Sequence, residues 1–211
     1  MPVYHGLRTS IQTPDHTMSD LNPTDHPVIT AIKQRYSAYQ FSDKPVEADK
    51  LKSLFEAARW AASSFNEQPW RFIVATKEDP AEYAKALGCL VDKNQEWAQA
   101  APVLVLTAVK QNFTYNDAPN RVALHDLGQA AANMALQAAE LGLTIHQMAG
   151  IEQDKVVSTY GLPEGFTAET AIAIGYPADG PLNEGENRAR QRKAFDDFVF
   201  GGSWESASGL F

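Results

Sequence analysis

RVALHDLGQAAANMALQAAELGLTIHQM, residues 121–148, is the stretch that decides the fold. Leu124, Leu127, Ala131, Met134, Ala138 and Leu141 step by three and four, so the spacing predicts a helix over 121–141 with one buried stripe. Ala130, Ala131, Ala132, Ala135, Ala138 and Ala139 keep that helix narrow. Small side chains let a second backbone approach closely, which suits either a plain core helix or one at a subunit interface. Gly142 supplies the left-handed residue that ends a helix, and Leu143–Met148 then reads as a strand.

Working outward, residues 1–26 are polar and carry Pro2, Pro14 and Pro23, so they are expected to form a mobile arm. Order is expected from about Pro27, where Val28, Ile29, Ile32 and Tyr36 share a helical face. Leu51, Leu54, Phe55, Ala58 and Ala61 or Ala62 predict a helix over about 47–62, and Pro69 prevents its continuation past Gln68. Phe72–Thr76 reads as a strand, 79–100 as helix, and Val103–Leu106 as a strand buried on both faces. Residues 110–120 read as a polar loop, 152–161 as a short helix and 170–177 as a strand, while 180–211 has no strong period. Interleaved helices and strands without repeats give an α/β or α+β class. The 211 residues favour one domain, placed over 27–211.

Composition removes several functions. A net charge of −8 argues against a general nucleic-acid binder and against an anionic membrane surface. The single cysteine, Cys89, excludes an internal disulfide and a cysteine-rich zinc site, and suits a reducing, cytoplasmic compartment. Set in LGCLV, it reads as a small buried apolar group rather than a nucleophile. No apolar run approaches the ~18 residues of a membrane span, and MPVYHGLRTS lacks the apolar core of a secretory signal. His5, His16, His26, His125 and His146 show no metal-binding spacing, so no metal is expected. G-x-S-x-G, the P-loop and G-x-G-x-x-G are all missing.

Three segments have chemistry to offer. In Arg35-Tyr36-Ser37-Ala38-Tyr39-Gln40-Phe41, an extended chain puts Arg35, Ser37 and Tyr39 on one side, where a guanidinium and a hydroxyl suit a phosphate. A solvated helix end would carry the same residues. Arg188-x-Arg190-x-Arg192-Lys193 crowds four cations into six residues of an acidic chain, either as a solvated face or around an anion. Ser63-Ser64-Phe65-Asn66-Glu67-Gln68-Pro69-Trp70 is a polar helix-to-strand junction. Its amides suit the edge of a heteroaromatic ring, or ordinary turn chemistry.

Taken in order, the motifs resemble the flavin-dependent nitroreductase family. They are R-x-S-x-x-x-F at 35–41, S-S-x-N-x-Q-P-W at 63–70, N-Q-x-W at 94–97, A-P-V-L-V at 101–105, H-Q-M-A-G at 146–150, I-G-Y-P at 174–177 and R-K-x-x-x-x-F-V at 192–199. The resemblance implies an α+β fold with a central mixed, mainly antiparallel sheet flanked by helices. It also implies a homodimer whose long alanine-rich helices meet, with FMN in clefts built from both subunits. By the same resemblance Arg35 and Ser37 hold the phosphate and ribityl end, Arg190 and Arg192 close on the same phosphate, and Tyr36 and Tyr39 belong to the cofactor site. Asn66 and Gln68 lie by the ring or ribityl chain, Ser63 and Ser64 approach from the partner, and Asn94 meets the pyrimidine edge. Gln147, Met148, Ala149 and Gly150 pass the flavin N5.

The implied activity is ping-pong hydride transfer from NADH or NADPH, through flavin N5, to a small acceptor such as a nitroaromatic or quinone. No separate catalytic side chain is needed. Reductive dehalogenation, enone reduction, flavin fragmentation or non-catalytic flavin binding are the alternatives. Phe113 and Tyr115 in the 110–120 loop are the candidate substrate contacts, or else ordinary surface residues. Tyr39 stands where the family commonly has a second cation, and Gln95 where it often has lysine. A lower flavin potential is therefore expected, with Tyr39 or Arg71 as the substitute donor. Met18 offers a second start before MSDLNPTDHPVITA. A chain beginning at Met18 is expected to fold and to purify with the same flavin content as the full chain; loss of either refutes a dispensable arm.

Overall fold

The computed structural model describes residues 21–180 and 190–210. The chain divides into two compact units, Met1–Gly180 and Pro181–Phe211, where the sequence reading has one domain over 27–211. In the first unit, β1 (Trp70–Thr76), β2 (Val103–Lys110), β3 (Thr144–Met148) and β4 (Phe166–Gly175) make one sheet in the order β1-β2-β4-β3. All three pairings are antiparallel, so the sheet has no parallel pair among the described residues. The helices are α1 (Thr30–Gln34), α2 (Ala48–Arg59), α3 (Pro80–Gly88), α4 (Asp92–Ala98), α5 (Ala123–Glu140) and α6 (Gln153–Tyr160). The class is α+β.

Strand β2 is the spine. Val103 to Val109 are all buried, because helices cover both faces of the sheet. Val103, Val105 and Val109 face a core built with Leu54 and Ala58 of α2 and Leu127, Ala130 and Met134 of α5. Such a continuous apolar run reports burial on two faces, and not the direction of the neighbouring strand. Helix α5 ends as its sequence predicts: Gly142 has φ +71°, the Gly142 N–H donates to Ala139 O (3.1 Å), and the Leu143 N–H donates to Ala138 O (2.8 Å).

Three expectations change. The helix expected over 79–100 is two helices, because Cys89–Val91 leaves the helix to pair with 150–152. Leu90 bridges Ile151, the Val91 N–H donates to Gly150 O (3.1 Å), and the Glu152 N–H donates to Cys89 O (2.8 Å). Strand β4 begins at Phe166 rather than 170, since a bulge at Glu169 between Ala168 and Thr170 interrupts the alternation that marks a strand. Order also starts inside the expected arm. The Asn22 N–H donates to Lys33 O (2.8 Å), and its amide donates to Ile32 O (2.5 Å) and Arg35 O (2.8 Å). Residues 1–20 of that arm lie outside the described residues. Cys89 is fully buried, as its apolar setting implies.

In the second unit, Phe195–Asp197 makes a single 3-10 turn and Phe200 bridges Ala207. The Phe200 and Trp204 rings lie 5.1 Å apart.

A polar knot fastens α2 to the ends of β4 and α5. Lys50 Nζ donates to Leu141 O (3.0 Å) and to the Tyr176 hydroxyl (2.7 Å), which itself donates to Glu47 (2.6 Å). The Tyr176 hydrogen bond, helped by Lys44, holds the Glu47 carboxyl down to about 2. A carboxyl lowered on folding stabilises the fold fully above its ordinary value near 4.5, and that contribution fades as pH falls toward about 2. Because Glu47 faces solvent, screening keeps the contribution small. Glu47→Gln is expected to lower the melting temperature at neutral pH, with the gap to wild type closing as pH falls from 4.5 toward about 2. An unchanged gap in acid, read by circular dichroism melts, contradicts this.

Candidate functional site

The first group of site residues forms where the 35–41 segment lies along β3. Thr144 Oγ1 donates to Tyr36 O (3.0 Å), and His146 Nδ1 lies 2.8 Å from Ala38 O. Thr144 and His146 are two apart on a strand, so both reach the same side and fasten the segment twice. The segment is extended and alternates. Tyr36 and Ala38 are buried, while Ser37 and Tyr39 are exposed and Arg35 half-buried. Arg35, Ser37 and Tyr39 therefore share the outer side, as the sequence predicts. Tyr36 does not join them: the residue is only 4% exposed, and its side chain belongs to the core rather than to the outer side.

The same group includes α4 and the turn after β3. Asn94 Nδ2 donates to Gly150 O (3.0 Å), which also accepts from the Val91 N–H. A Cβ on Gly150 would stand 2.5 Å from Asn94 Nδ2 and 2.8 Å from Val91 Cγ2, so the position requires glycine. Tyr39, Trp97 and His146 form a ring cluster, with centroids 5.0 Å (Tyr39–Trp97), 4.5 Å (Tyr39–His146) and 4.4 Å (Trp97–His146) apart. Met148 is buried, and Gln147 turns to α5, its amide 3.4 Å from Ala131 O. What this turn can offer a ligand is backbone at Ala149 and Gly150, rather than the Gln147 and Met148 side chains.

The second group is the turn 63–68. Phe65 (φ 52°), Asn66 (φ 56°) and Gln68 (φ 49°) are all left-handed, at a cost on the order of 1 kcal/mol or more each. Local bonds hold them: the Gln68 N–H donates to Ser63 Oγ (3.0 Å), the Gln68 amide to Asn66 Oδ1 (3.1 Å), and Arg71 to Gln68 O (3.0 Å). Asp126 of α5, 2% exposed, accepts from the Ser64 N–H (3.1 Å). The 110–120 loop closes on this turn. Thr114 donates to Glu67 from its N–H (2.9 Å) and its hydroxyl (2.6 Å), and Phe113 and Tyr115 meet the Phe65 ring. Burial pushes the Glu67 carboxyl up, but the Thr114 bonds, with Lys110 and Arg71 nearby, outweigh it and leave the group below its ordinary value.

The two groups sit at opposite edges of the sheet, one beyond the end of β3 and the other before the start of β1. Three strand spacings of ~4.8 Å separate those edges, ~14 Å in all. Arg71 belongs to the second group, across the sheet from Tyr39. Arg190 and Arg192 lie in the second unit, where Arg192 donates to Gln191 O (2.8 Å); Arg188 is outside the described residues. Among the described residues, no three His, Cys, Asp or Glu gather as a metal site, and no helix is long and apolar enough to cross a membrane. Sequence reasoning missed Asp126, Thr144, Trp97 and His146 as site-building residues. Asp126 carried a signal, being a carboxylate amid the apolar stripe of a helix, and Trp97 and His146 stand in the motifs at 94–97 and 146–150; Thr144 became visible only through tertiary contact.

The model of the nitroreductase family matches residues 32–176. The major NAD(P)H-flavin oxidoreductase of Aliivibrio fischeri is 26% identical over 216 aligned residues, spanning 82% of this chain and 98% of that protein. An oxidoreductase containing FMN, known from its crystal structure, superposes with a TM-score of 0.80 at 31% identity, over 90% of this chain and 100% of that one. A nitroreductase-type protein of Desulfovibrio desulfuricans in complex with FMN superposes with a TM-score of 0.66 at 26% identity, over 86% of this chain and 99% of that one.

Removing the Asp126 carboxylate strips a buried acceptor from the Ser64 N–H. Asp126→Ala is expected to destabilise the protein by about 1–3 kcal/mol, and Asp126→Asn, which keeps an acceptor, by clearly less. Equal losses in urea unfolding show that the bond to Ser64 is not what the carboxylate supplies.

Proposed function

As a member of the nitroreductase family, the chain is an FMN-dependent oxidoreductase that draws on NAD(P)H, and we propose that it works by ping-pong hydride transfer to a small acceptor such as a nitroaromatic or quinone. The reading is carried by one observation: Arg35, Ser37 and Tyr39 share an outer side held by β3, next to the Asn94–Gly150 contact. A guanidinium and a hydroxyl suit the phosphate and ribityl end, and an amide beside exposed backbone suits the edge of a flavin ring. The donor set thus fits FMN. When bound, FMN supplies hydride acceptance and release at N5.

The chain's own residues bind and orient. Arg35 and Ser37 hold the phosphate end. Asn94 addresses the pyrimidine edge, and Ala149 and Gly150 present backbone toward N5. Ser63, Ser64, Asn66 and Gln68 reach the ring of a partner's cofactor, since ~14 Å of sheet parts them from Arg35 within one chain. That requires a homodimer. The outward stripe of α5 supports one: Leu124, Gly128 and Ala132 are exposed, and nothing lies within 4 Å of a Cβ built on Gly128. Exposed Ile29 and Trp60 supply further apolar area for a second copy. The single buried cysteine is consistent with work in the cytoplasm.

Arg35→Ala is expected to weaken FMN binding by about 10- to 100-fold, the worth of a charge-assisted hydrogen bond of roughly 1.5–3 kcal/mol. Flavin fluorescence titration measures this, and NADH or NADPH bleaches the bound flavin under anaerobic conditions. Retention of the flavin as tightly as in wild type, or a wild type that binds none, overturns the assignment.

A further inference from the structure

The second group contains a contact that the binding of FMN does not require. Glu67 has a side chain only 6% exposed, yet it is a carboxylate on a surface turn. Both of its oxygens are engaged by one residue 47 positions away, Thr114, through its N–H (2.9 Å) and its hydroxyl (2.6 Å). Lys110 Nζ lies 3.8 Å from Glu67 and donates to Thr114 Oγ1 (2.8 Å), so the hydroxyl is oriented to donate to the carboxylate. A carboxylate removed from water is tolerated when its charge and lone pairs are matched, as they are here.

Thr114 lies between two aromatic residues, and Glu67 lies two residues after a third. The Phe65, Phe113 and Tyr115 rings form a closed triangle, with centroids 5.7, 5.5 and 5.5 Å apart. Phe65 is 78% exposed and Tyr115 61% exposed. Burial therefore does not account for these rings. Nor does backbone geometry, because Phe65 holds a left-handed conformation that Asn or Gly would adopt at less cost. The loop tip is a rigid unit in its own right: Asn112 bridges Pro119, and the Phe113 N–H donates to Ala118 O (2.9 Å). What fixes that unit to the 63–68 turn is the Glu67–Thr114 pair together with the ring contacts.

We propose that Glu67 is a positioning residue for acceptor specificity: by gripping Thr114 it latches the 111–118 loop to the 63–68 turn and sets Phe65, Phe113 and Tyr115 as one three-ring platform for flat aromatic acceptors. The proposal rests on the oxidoreductase reading above. Flat rings stack edge or face against such a triangle with favourable geometry, whereas a small inorganic complex ion gains nothing from it. Without the carboxylate the loop tip swings free, and the platform is populated only part of the time. Apparent affinity for an aromatic acceptor then falls in proportion to that population.

The test pairs two acceptors and two readouts. The holoprotein is reduced with dithionite and mixed in a stopped-flow instrument with 1,4-naphthoquinone or with ferricyanide. One quinone takes two electrons and two protons to become the hydroquinone; two ferricyanide ions take one electron each. Glu67→Ala is expected to slow reoxidation by the quinone about tenfold and to leave ferricyanide within about twofold. Glu67→Gln, which keeps one acceptor oxygen, should recover part of the quinone rate, and Thr114→Val should match Glu67→Ala from the other side of the contact. Independently of flavin, the amide of Thr114 should exchange hydrogen faster in Glu67→Ala than in wild type. Equal slowing with both acceptors, or none with the quinone, overturns the specificity role. Unchanged exchange at Thr114 overturns the latch. A wild type that carries no flavin overturns the oxidoreductase reading and the specificity role with it, while the exchange result still judges the latch by itself.

Discussion

At the first group of site residues, one backbone carbonyl fixes where α4 and its Asn94 stand. Gly150 O accepts from the Val91 N–H and from Asn94 Nδ2. The first bond pulls residues 89–91 out of helix and ends α3. The second fixes the side chain at the start of α4. Without this pairing, 79–100 would run on as one helix and carry Asn94 away from β3. The absence of a side chain at Gly150 permits the approach, because a methyl group there would overlap both Val91 and Asn94. A local backbone need thus decides where a distant side chain stands.

The two edges of the sheet are organised differently. At β3, side chains of a rigid strand hold an extended segment, so the outward residues inherit the regularity of the strand. At β1, a turn with three left-handed residues is held by Ser63, Asp126 and Arg71. The first arrangement costs little and presents a fixed row of donors. The second stores strain, which persists because several hydrogen bonds over-determine the turn. About 14 Å of sheet separates the two arrangements within one chain.

Much of this was legible in the residues. The narrow helix over 121–141, its glycine stop, the doubly buried strand at 103–106 and the alternation at Arg35, Ser37 and Tyr39 are local patterns that the structure keeps, except that Leu124, expected on the buried stripe of that helix, lies exposed on its outer side. Patterns failed where tertiary pairing overrode them. The interior of 79–100 gives no local reason to break, since Cys89–Val91 leaves the helix for partners 60 residues away. The bulge at Glu169 hid the first part of β4 by shifting the alternation by one. Tyr36 misled for a related reason: it shares a motif with Arg35 and Ser37 but lies on the other side of the extended chain. Asn22 is polar and beside proline, yet three hydrogen bonds to the α1 region order it.

The residues that sequence motifs single out are those facing outward, whereas those that hold them are scattered. Thr144 and His146 secure one segment, and Asp126 secures the turn from within a helix whose apolar stripe would otherwise exclude a carboxylate. A buried Asp in that stripe is a local conflict between helix packing and charge, tolerated because the Ser64 N–H answers it. Such conflicts point to where a fold gives up stability to fix geometry. Here the Asp126 carboxylate, the left-handed turn and the nearly buried Glu67 carboxylate all converge on residues 63–68. That clustering marks the turn as the part of the chain shaped least by packing and most by what it must face.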